Sequence, residues 1–366
     1  MRIFALELDN DIKGVEERKA YIKGLIKQLP DPDLVVLPEM ALCSYMASQD
    51  AWKYADDKGH DTAKWAVEMA RIFDTYIGVG YLDREGYDYY NRYLIASKDG
   101  VLGIVSKSEG ESAVFRQGDF PNIIETPFGK VGVAICYDSR RKHFYDNVKD
   151  EELSLILFPH GAPADPKKPE TERQENDRRC MLYVDAFDVP VVYVNSKGSL
   201  EYMPGMMGAM MKRHGFRING MSKIYGHDCL PIVTDIPEVI GVEVTLKPHK
   251  LIKEIRFYGQ DILPGNFIFK HVILKPDTKA GIAMYEANNI RTSLSEAEGY
   301  TDLKEVLTPK QLMDKRALLK YAKQHFRWPK ERFISDIESG YYNEVKDQEA
   351  YKKAYIRYIN EEWDKL

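Results

Sequence analysis

Long apolar runs, paired cysteines and an excess of basic charge are all missing from this 366-residue chain. No stretch approaches the roughly 20 apolar residues that a membrane-crossing helix requires. The longest candidates, such as Val131 to Cys136, are strand-sized, so no membrane partner is expected. Four cysteines, Cys43, Cys136, Cys180 and Cys229, lie far apart, with no C-x-x-C pair and no histidine at zinc-finger spacing. That spacing argues against both a disulfide framework and a structural zinc site. With 52 Lys plus Arg against 57 Asp plus Glu, the net charge is −5, and there is no overall basic field to grip a phosphate backbone. Nucleic acid is therefore not expected as a partner. Met1 to Leu8 runs into Asp9-Asn10-Asp11 without the apolar stretch of a signal peptide, and reads as the first strand of a cytoplasmic protein.

What is present is a chain long enough for one large core or two ordinary ones, with 44% hydrophobic residues. Its first third alternates strand-like and helix-like stretches. Glu16 to Leu29 sets Tyr21, Ile22, Leu25, Ile26 and Leu29 on one helical stripe, and Pro30-Asp31-Pro32 stops it. Leu34 to Leu37 is a continuous apolar run of the kind covered on both faces, ended by Pro38-Glu39. A helix over Asp61 to Phe73 precedes a strand from Tyr76 to Tyr81. Tyr93 to Ser97 and Val101 to Val105 form a hairpin across Lys98-Asp99-Gly100. A second hairpin joins Ile123-Ile124 to Val131–Cys136 through Pro127-Phe128-Gly129. Leu155 to Phe158, Val191 to Val194, Ser222 to Tyr225 and Ile240 to Val244 are further strands, with Glu170 to Asp188 helical between two of them. Hairpins mixed with strand-helix alternation predict a layered α/β domain with mixed sheets. After Leu246 the texture changes, so residues 1–246 read as one domain and 247–366 as a partly helical C-terminal extension, with helices over Leu312 to Gln324 and Gln348 to Trp363. The aromatic residues of that extension, Trp328, Tyr341, Tyr342, Tyr355, Tyr358 and Trp363, suit an oligomer interface or packing within the extension itself.

Three residues stand where strands end. Cys136 closes an apolar strand and precedes Tyr137-Asp138-Ser139-Arg140-Arg141. A free cysteine is usually a core residue, but a sharp turn into a basic segment exposes the sulfur, and nearby cations lower a thiol's pKa. Glu39 closes a strand in the same way, and Lys107 follows another; alone, each is a commonplace solvated terminus.

In combination, Leu37-Pro38-Glu39-Met40, the strand leading to Lys107, and Val133-Ala134-Ile135-Cys136-Tyr137-Asp138 resemble the nitrilase superfamily of carbon-nitrogen hydrolases, whose catalytic set is Glu, Lys and Cys. Tyr90-Asn91, Phe115-Arg116-Gln117-Gly118, Val194-Asn195-Ser196-Lys197-Gly198 and Gly220-Met221-Ser222-Lys223-Ile224 extend the resemblance to about Leu246. Ser108-Glu109-Gly110 stands where the family usually has His-Leu, and the stretch around Met203 to Arg217 has no obvious counterpart. The resemblance implies a four-layer α-β-β-α sandwich that forms a homodimer or a larger homo-oligomer. It implies a small-molecule amide substrate, with neither metal nor cofactor. A second glutamate supports the lysine in this family; Glu111 fits that place, and Glu109 competes for it.

The implied chemistry is acyl transfer through a thioester. Cys136 would attack the carbonyl carbon, Glu39 would shuttle the proton, and Lys107 with the Tyr137 backbone N–H would stabilise the oxyanion. Cys136-Tyr137-Asp138 is similar to the amidase and carbamoyl-hydrolase branches, whereas nitrile-hydrolysing members usually carry Cys-Trp-Glu. Arg140 is a candidate clamp for a substrate carboxylate, or else part of a structural ion pair. Three other readings stand beside hydrolysis of an amide or N-carbamoyl compound: acyl transfer to an amine, nitrile hydrolysis, and a silent binding scaffold.

Overall fold

The computed structural model describes residues 1–86, 88–118, 120–265, 269–296, 299–340 and 347–366. The chain divides into two compact units, Met1–Gly281 and Ile282–Leu366.

The first unit is built on two sheets. Alternation along each strand places one row of side chains toward the facing sheet and the other toward a helix layer. β1 (Arg2–Leu6) shows the pattern: Ile3 and Ala5 enter the core between the sheets, whereas Phe4 and Leu6 enter the core under the helices. β2 (Leu34–Val36) pairs parallel with β1. The two-residue β3 (Asp56–Asp57) flanks β4 (Tyr76–Glu85), which pairs parallel with β2. β5 (Asp88–Ser97) and β6 (Gly100–Ser106) continue as an antiparallel meander, with Lys98-Asp99 at the expected hairpin.

β7 (Ile123–Thr126), β8 (Gly129–Val133) and β9 (Leu153–His160) begin the second sheet, with β8 and β9 parallel. β10 (Pro163–Ala164) belongs with β12 (Lys197–Gly198) and β13 (Arg217–Asn219) to a small third sheet. β11 (Val191–Asn195) pairs parallel with β9, and β14 (Lys223–Tyr225) closes that edge. β15 (Leu230–Ile232) and β16 (Val239–Glu243) return to the first sheet beside β1.

Helices α1 (Val15–Ile26) and α2 (His60–Phe73) cover the first sheet, with Ile22, Leu25, Trp65 and Met69 in the shared core. Helices α3 (Lys142–Val148) and α4 (Pro169–Phe187) cover the second through Phe144, Val148, Tyr183 and Phe187. Val36, Ile95, Val133, Leu155 and Val192 fill the space between the sheets. The result is an α-β-β-α sandwich, as the resemblance implied. Each of the two facing sheets is mixed, with parallel strands at its centre and antiparallel strands flanking them.

Two departures from expectation have packing causes. The stretch around Met203 contains a helix, α5 (Gly205–His214), whose first-turn N–H groups of Met206 and Met207 donate to the Asp277 carboxylate. The boundary expected near Leu246 lies at Gly281, because Ile255 and Ile262 are buried in the core beneath α3 and α4.

The second unit is helical. α6 (Lys275–Glu296) runs into it, followed by α7 (Pro309–Tyr321), α8 (Lys330–Ser339) and α9 (Gln348–Trp363). Thr308 and Gln311 form a capping box at the start of α7. Tyr355, Tyr358 and Trp363 are buried with Leu303 and Leu319 in this unit's own core. Tyr341 and Tyr342 lie outside the described residues. Among the described residues no helix is long and apolar enough to cross a membrane, and no cluster of metal-ligating side chains occurs.

Candidate active site

The carboxyl ends of β2, β6, β8 and β9 lie along one edge of the sandwich, and the reactive groups stand just past them. Leu37 and Pro38 carry the chain from β2 to Glu39, and Met40 then adopts a positive φ of 50°. This turn lies directly on Gly80 of β4, where an added Cβ would fall 2.6 Å from the Pro38 carbonyl oxygen and 2.9 Å from Glu39 Cα. Lys107 follows β6; its N–H donates to the Asn91 carbonyl at 2.8 Å, and its carbonyl accepts from Gly118 N at 3.0 Å. Cys136 follows β8 at φ 50°, a region costly for a residue with a side chain and most often occupied where function holds it. Ser139 Oγ closes the turn by donating to the Cys136 carbonyl at 2.7 Å.

The side chains converge. Lys107 Nζ donates to Glu39 Oε1 at 2.6 Å and to Glu111 Oε2 at 2.5 Å. Asn91 Nδ2 also donates to Glu39 Oε1, at 2.7 Å, while Gly161 N donates to Glu39 Oε2 at 2.7 Å. The far oxygen of Glu111 accepts from the Tyr45 hydroxyl at 2.6 Å. Glu39 is 0% exposed, Lys107 3% and Cys136 9%, so these charges act on one another in a site largely screened from water.

Residues 10–162, which hold Glu39, Lys107, Glu111 and Cys136, match the carbon-nitrogen hydrolase family. Over this segment the chain is similar to the nitrilase superfamily. Proteins similar to it include an N-carbamoylputrescine amidase of Arabidopsis thaliana, 25% identical over 195 residues, which are 50% of this chain and 63% of that protein. A probable nitrilase of Schizosaccharomyces pombe is 27% identical over 139 residues, 35% of this chain and 51% of that protein. The chain thus spans between about half and just under two thirds of the length of these two relatives. Among solved structures, a carbon-nitrogen hydrolase from Helicobacter pylori G27 shares the fold at a TM-score of 0.55 and 18% identity, over 66% of this chain and 88% of that one.

Within this fold the open choice between the two glutamates has a geometric answer. Glu111 is the carboxylate on Lys107. Glu109 turns away, with Oε2 2.8 Å from Arg141 Nε and Oε1 3.4 Å from His143 Nδ1. Arg140 is engaged as an ion pair, its guanidinium 3.4 Å from Glu172 and 3.9 Å from Glu175. Tyr137 is partly buried beneath the Arg141 guanidinium, 5.6 Å from its ring centroid.

The electrostatics correct one expectation. Cations were expected to draw Cys136 toward thiolate. Instead, burial pushes the thiol well up and the Glu39 charge adds to this, against the opposing pull of Lys107. Burial also raises Glu39, and Lys107 only partly offsets it. Burial disfavours the Lys107 ammonium, but Glu111 and Glu39 outweigh it and hold the amine protonated. The resting site therefore contains a neutral thiol, a carboxyl with raised proton affinity and a fixed cation.

Tyr45 and Gly161 have no motif that announces them. Tyr45 reaches the site because Asn10 holds its backbone on both sides, accepting from Tyr45 N at 2.8 Å and donating to Tyr45 O at 3.1 Å. Gly161 is placed by its neighbour Ala162, which Asn195 grips through both backbone groups at 2.9 and 3.2 Å. Asn195 also donates to the Gly220 carbonyl at 3.1 Å, tying the motif Val194–Gly198 to the motif Gly220–Ile224.

Proposed function

We propose that this protein hydrolyses a carbon-nitrogen bond in a small amide or N-carbamoyl compound through a thioester on Cys136. The observation that carries this reading is the buried Glu39–Lys107–Glu111 array acting on a cysteine held at positive φ. The amidase names among the relatives and the Cys136-Tyr137-Asp138 sequence favour an amide over a nitrile.

Because the thiol rests neutral, its proton must leave as the sulfur attacks. Glu39 takes that proton while Sγ bonds to the carbonyl carbon, and the Lys107 ammonium with the Tyr137 N–H receives the developing oxyanion. One such fixed donor lowers the barrier by about 3–4 kcal/mol. The oxyanion collapses, the C–N bond breaks, and Glu39 returns the proton to the leaving nitrogen. Water then attacks the thioester, giving a proton to Glu39. The Cys136 sulfur leaves as acid product forms, and Glu39 reprotonates it. Glu111 holds the lysine in place, and Tyr45 holds Glu111.

Arg140 would meet a substrate carboxylate only in competition with Glu172. The test is ammonia release over small neutral amides, dicarboxylic monoamides, N-carbamoyl amino acids and nitriles, with Cys136→Ala beside the wild type. Release confined to the wild type supports the reading, and undiminished release from the variant refutes it.

A further inference from the structure

Beyond Leu246 the sequence bears no family motif, yet two parts of it are bonded to the loops that hold the reactive groups. Lys142 N donates to the Gln260 carbonyl at 2.9 Å, and Ile262 N donates to the Arg140 carbonyl at 2.9 Å. Residues 260–262 thus run beside the turn that begins at Cys136. Asp261 is 7% exposed, with Oδ1 2.5 Å from Arg141 Nη1 and Oδ2 paired with Lys270. Arg141 in turn lies on Glu109, which sits on the loop between Lys107 and Glu111. The backbone of that loop is held by the buried Asp138, whose carboxylate accepts from Ser108 N at 2.8 Å and Glu109 N at 2.9 Å. Farther along, Ser112 Oγ donates to the Thr278 carbonyl at 3.0 Å. Gly281 approaches so closely that a Cβ there would fall 3.0 Å from Ala113 N.

We infer that Asp261 is a positioning residue for the reaction, acting through Arg141 and Glu109 to set where Lys107 and Glu111 stand relative to Cys136. The loop Ser108-Glu109-Gly110-Glu111 has no regular secondary structure and contains a glycine at φ 115°, so it has little stiffness of its own. What fixes it comes from outside. The planar Arg141 fork joins two carboxylates, one on the lysine loop and one on the segment after β16, which a single ammonium could not span in the same geometry. Neutralising Asp261 leaves Arg141 anchored at Glu109 alone and removes the Lys270 pairing, and the loop that joins Lys107 to Glu111 gains freedom.

This inference rests on the proposed roles of Lys107, Glu111 and Cys136, so its test uses one readout that needs no substrate. In the full chain, Asp261→Asn, Asp261→Glu and Arg141→Lys are compared with the wild type. One readout is the pH profile of Cys136 alkylation by iodoacetamide, located by peptide mapping; the other is kcat and KM on an amide from the panel. Asp261→Asn and Arg141→Lys are expected to lower kcat about ten- to hundred-fold, with KM within about two-fold, since small displacements of fixed groups cost that much. Both should also shift the alkylation profile, and Asp261→Glu should recover part of each loss. Arg141→Lys keeps the charge, and decides the matter if Asp261→Asn does not fold. Folded variants with a wild-type alkylation profile and wild-type kcat would overturn the inference. If the wild type turns over no amide, the proposed function fails while the alkylation profile still decides the role of Asp261.

Discussion

Glu39 carries three hydrogen-bond donors on two buried oxygens, and its value to the reaction lies in holding a proton between steps. Glu39→Gln preserves its volume and cannot take that proton; kcat should fall about 10²- to 10⁴-fold in a protein whose circular dichroism is unchanged. Because burial and Glu39 raise the Cys136 thiol, its alkylation should keep accelerating as pH rises past the ordinary thiol range; a plateau near neutrality would contradict the assignment. Cys43 and Cys180, both buried and pushed up to about 12, should stay unmodified in the folded protein. Arg140→Gln should leave KM for neutral amides within about two-fold, since a half-exposed ion pair contributes little. At this scale the sequence was readable where a residue ends a strand inside a motif: Glu39, Lys107 and Cys136 each did. Tyr45 and Gly161 were not, because their place depends on Asn10 and Asn195, distant in sequence, and the choice between Glu109 and Glu111 required knowing where Arg141 and His143 point.

Secondary-structure elements set the precision of the site by how closely they approach. Gly80→Ala should destabilise the protein by about 1–3 kcal/mol in urea unfolding and lower activity with it, because the new methyl meets the backbone that carries Glu39. The N-terminus of α3 offers a pH test. Burial disfavours the His143 imidazolium, but Asp138 and Glu109 outweigh it and raise its pKa to about 9. A group raised in the folded state contributes stability that is complete below its ordinary value of 6.5 and is lost as pH climbs through 9. Thermal stability should therefore fall from pH 7 to 10, and His143→Gln should flatten that fall. The strands were legible because apolar runs bounded by turn residues leave few alternatives: the hairpin at Lys98-Asp99-Gly100 and the helix Gln348–Trp363 stand where the pattern put them. Helix α5 was not assigned, although Met203, Met206, Met207, Met210 and Met211 repeat at helical spacing, because the stretch opens on Pro204-Gly205 and Asp277, which caps it, is remote in sequence.

Across the whole molecule, the same sandwich that aligns four strand ends also draws in sequence well past its last strand. His249 exchanges both backbone hydrogen bonds with Leu153, at 2.9 and 2.8 Å, and Ile255 and Ile262 are buried. A chain ending at Leu246 should be destabilised by several kcal/mol relative to one ending at Gly281, since each such isoleucine contributes roughly 1.5–3 kcal/mol by burial. Urea midpoints of the two would show it, and equal midpoints would argue that the segment is an appendage. Composition marked the change of texture at Leu246 but not the packing that follows it, because isolated apolar residues in a charged stretch leave no periodic trace. The account stands on Cys136 as the nucleophile. Its most direct measurement is the intact mass of enzyme quenched during turnover of a small amide that releases ammonia, followed by peptide mapping. The predicted result is an added acyl mass on the Cys136 peptide, absent in Cys136→Ala along with ammonia release; continued release from Cys136→Ala would contradict it.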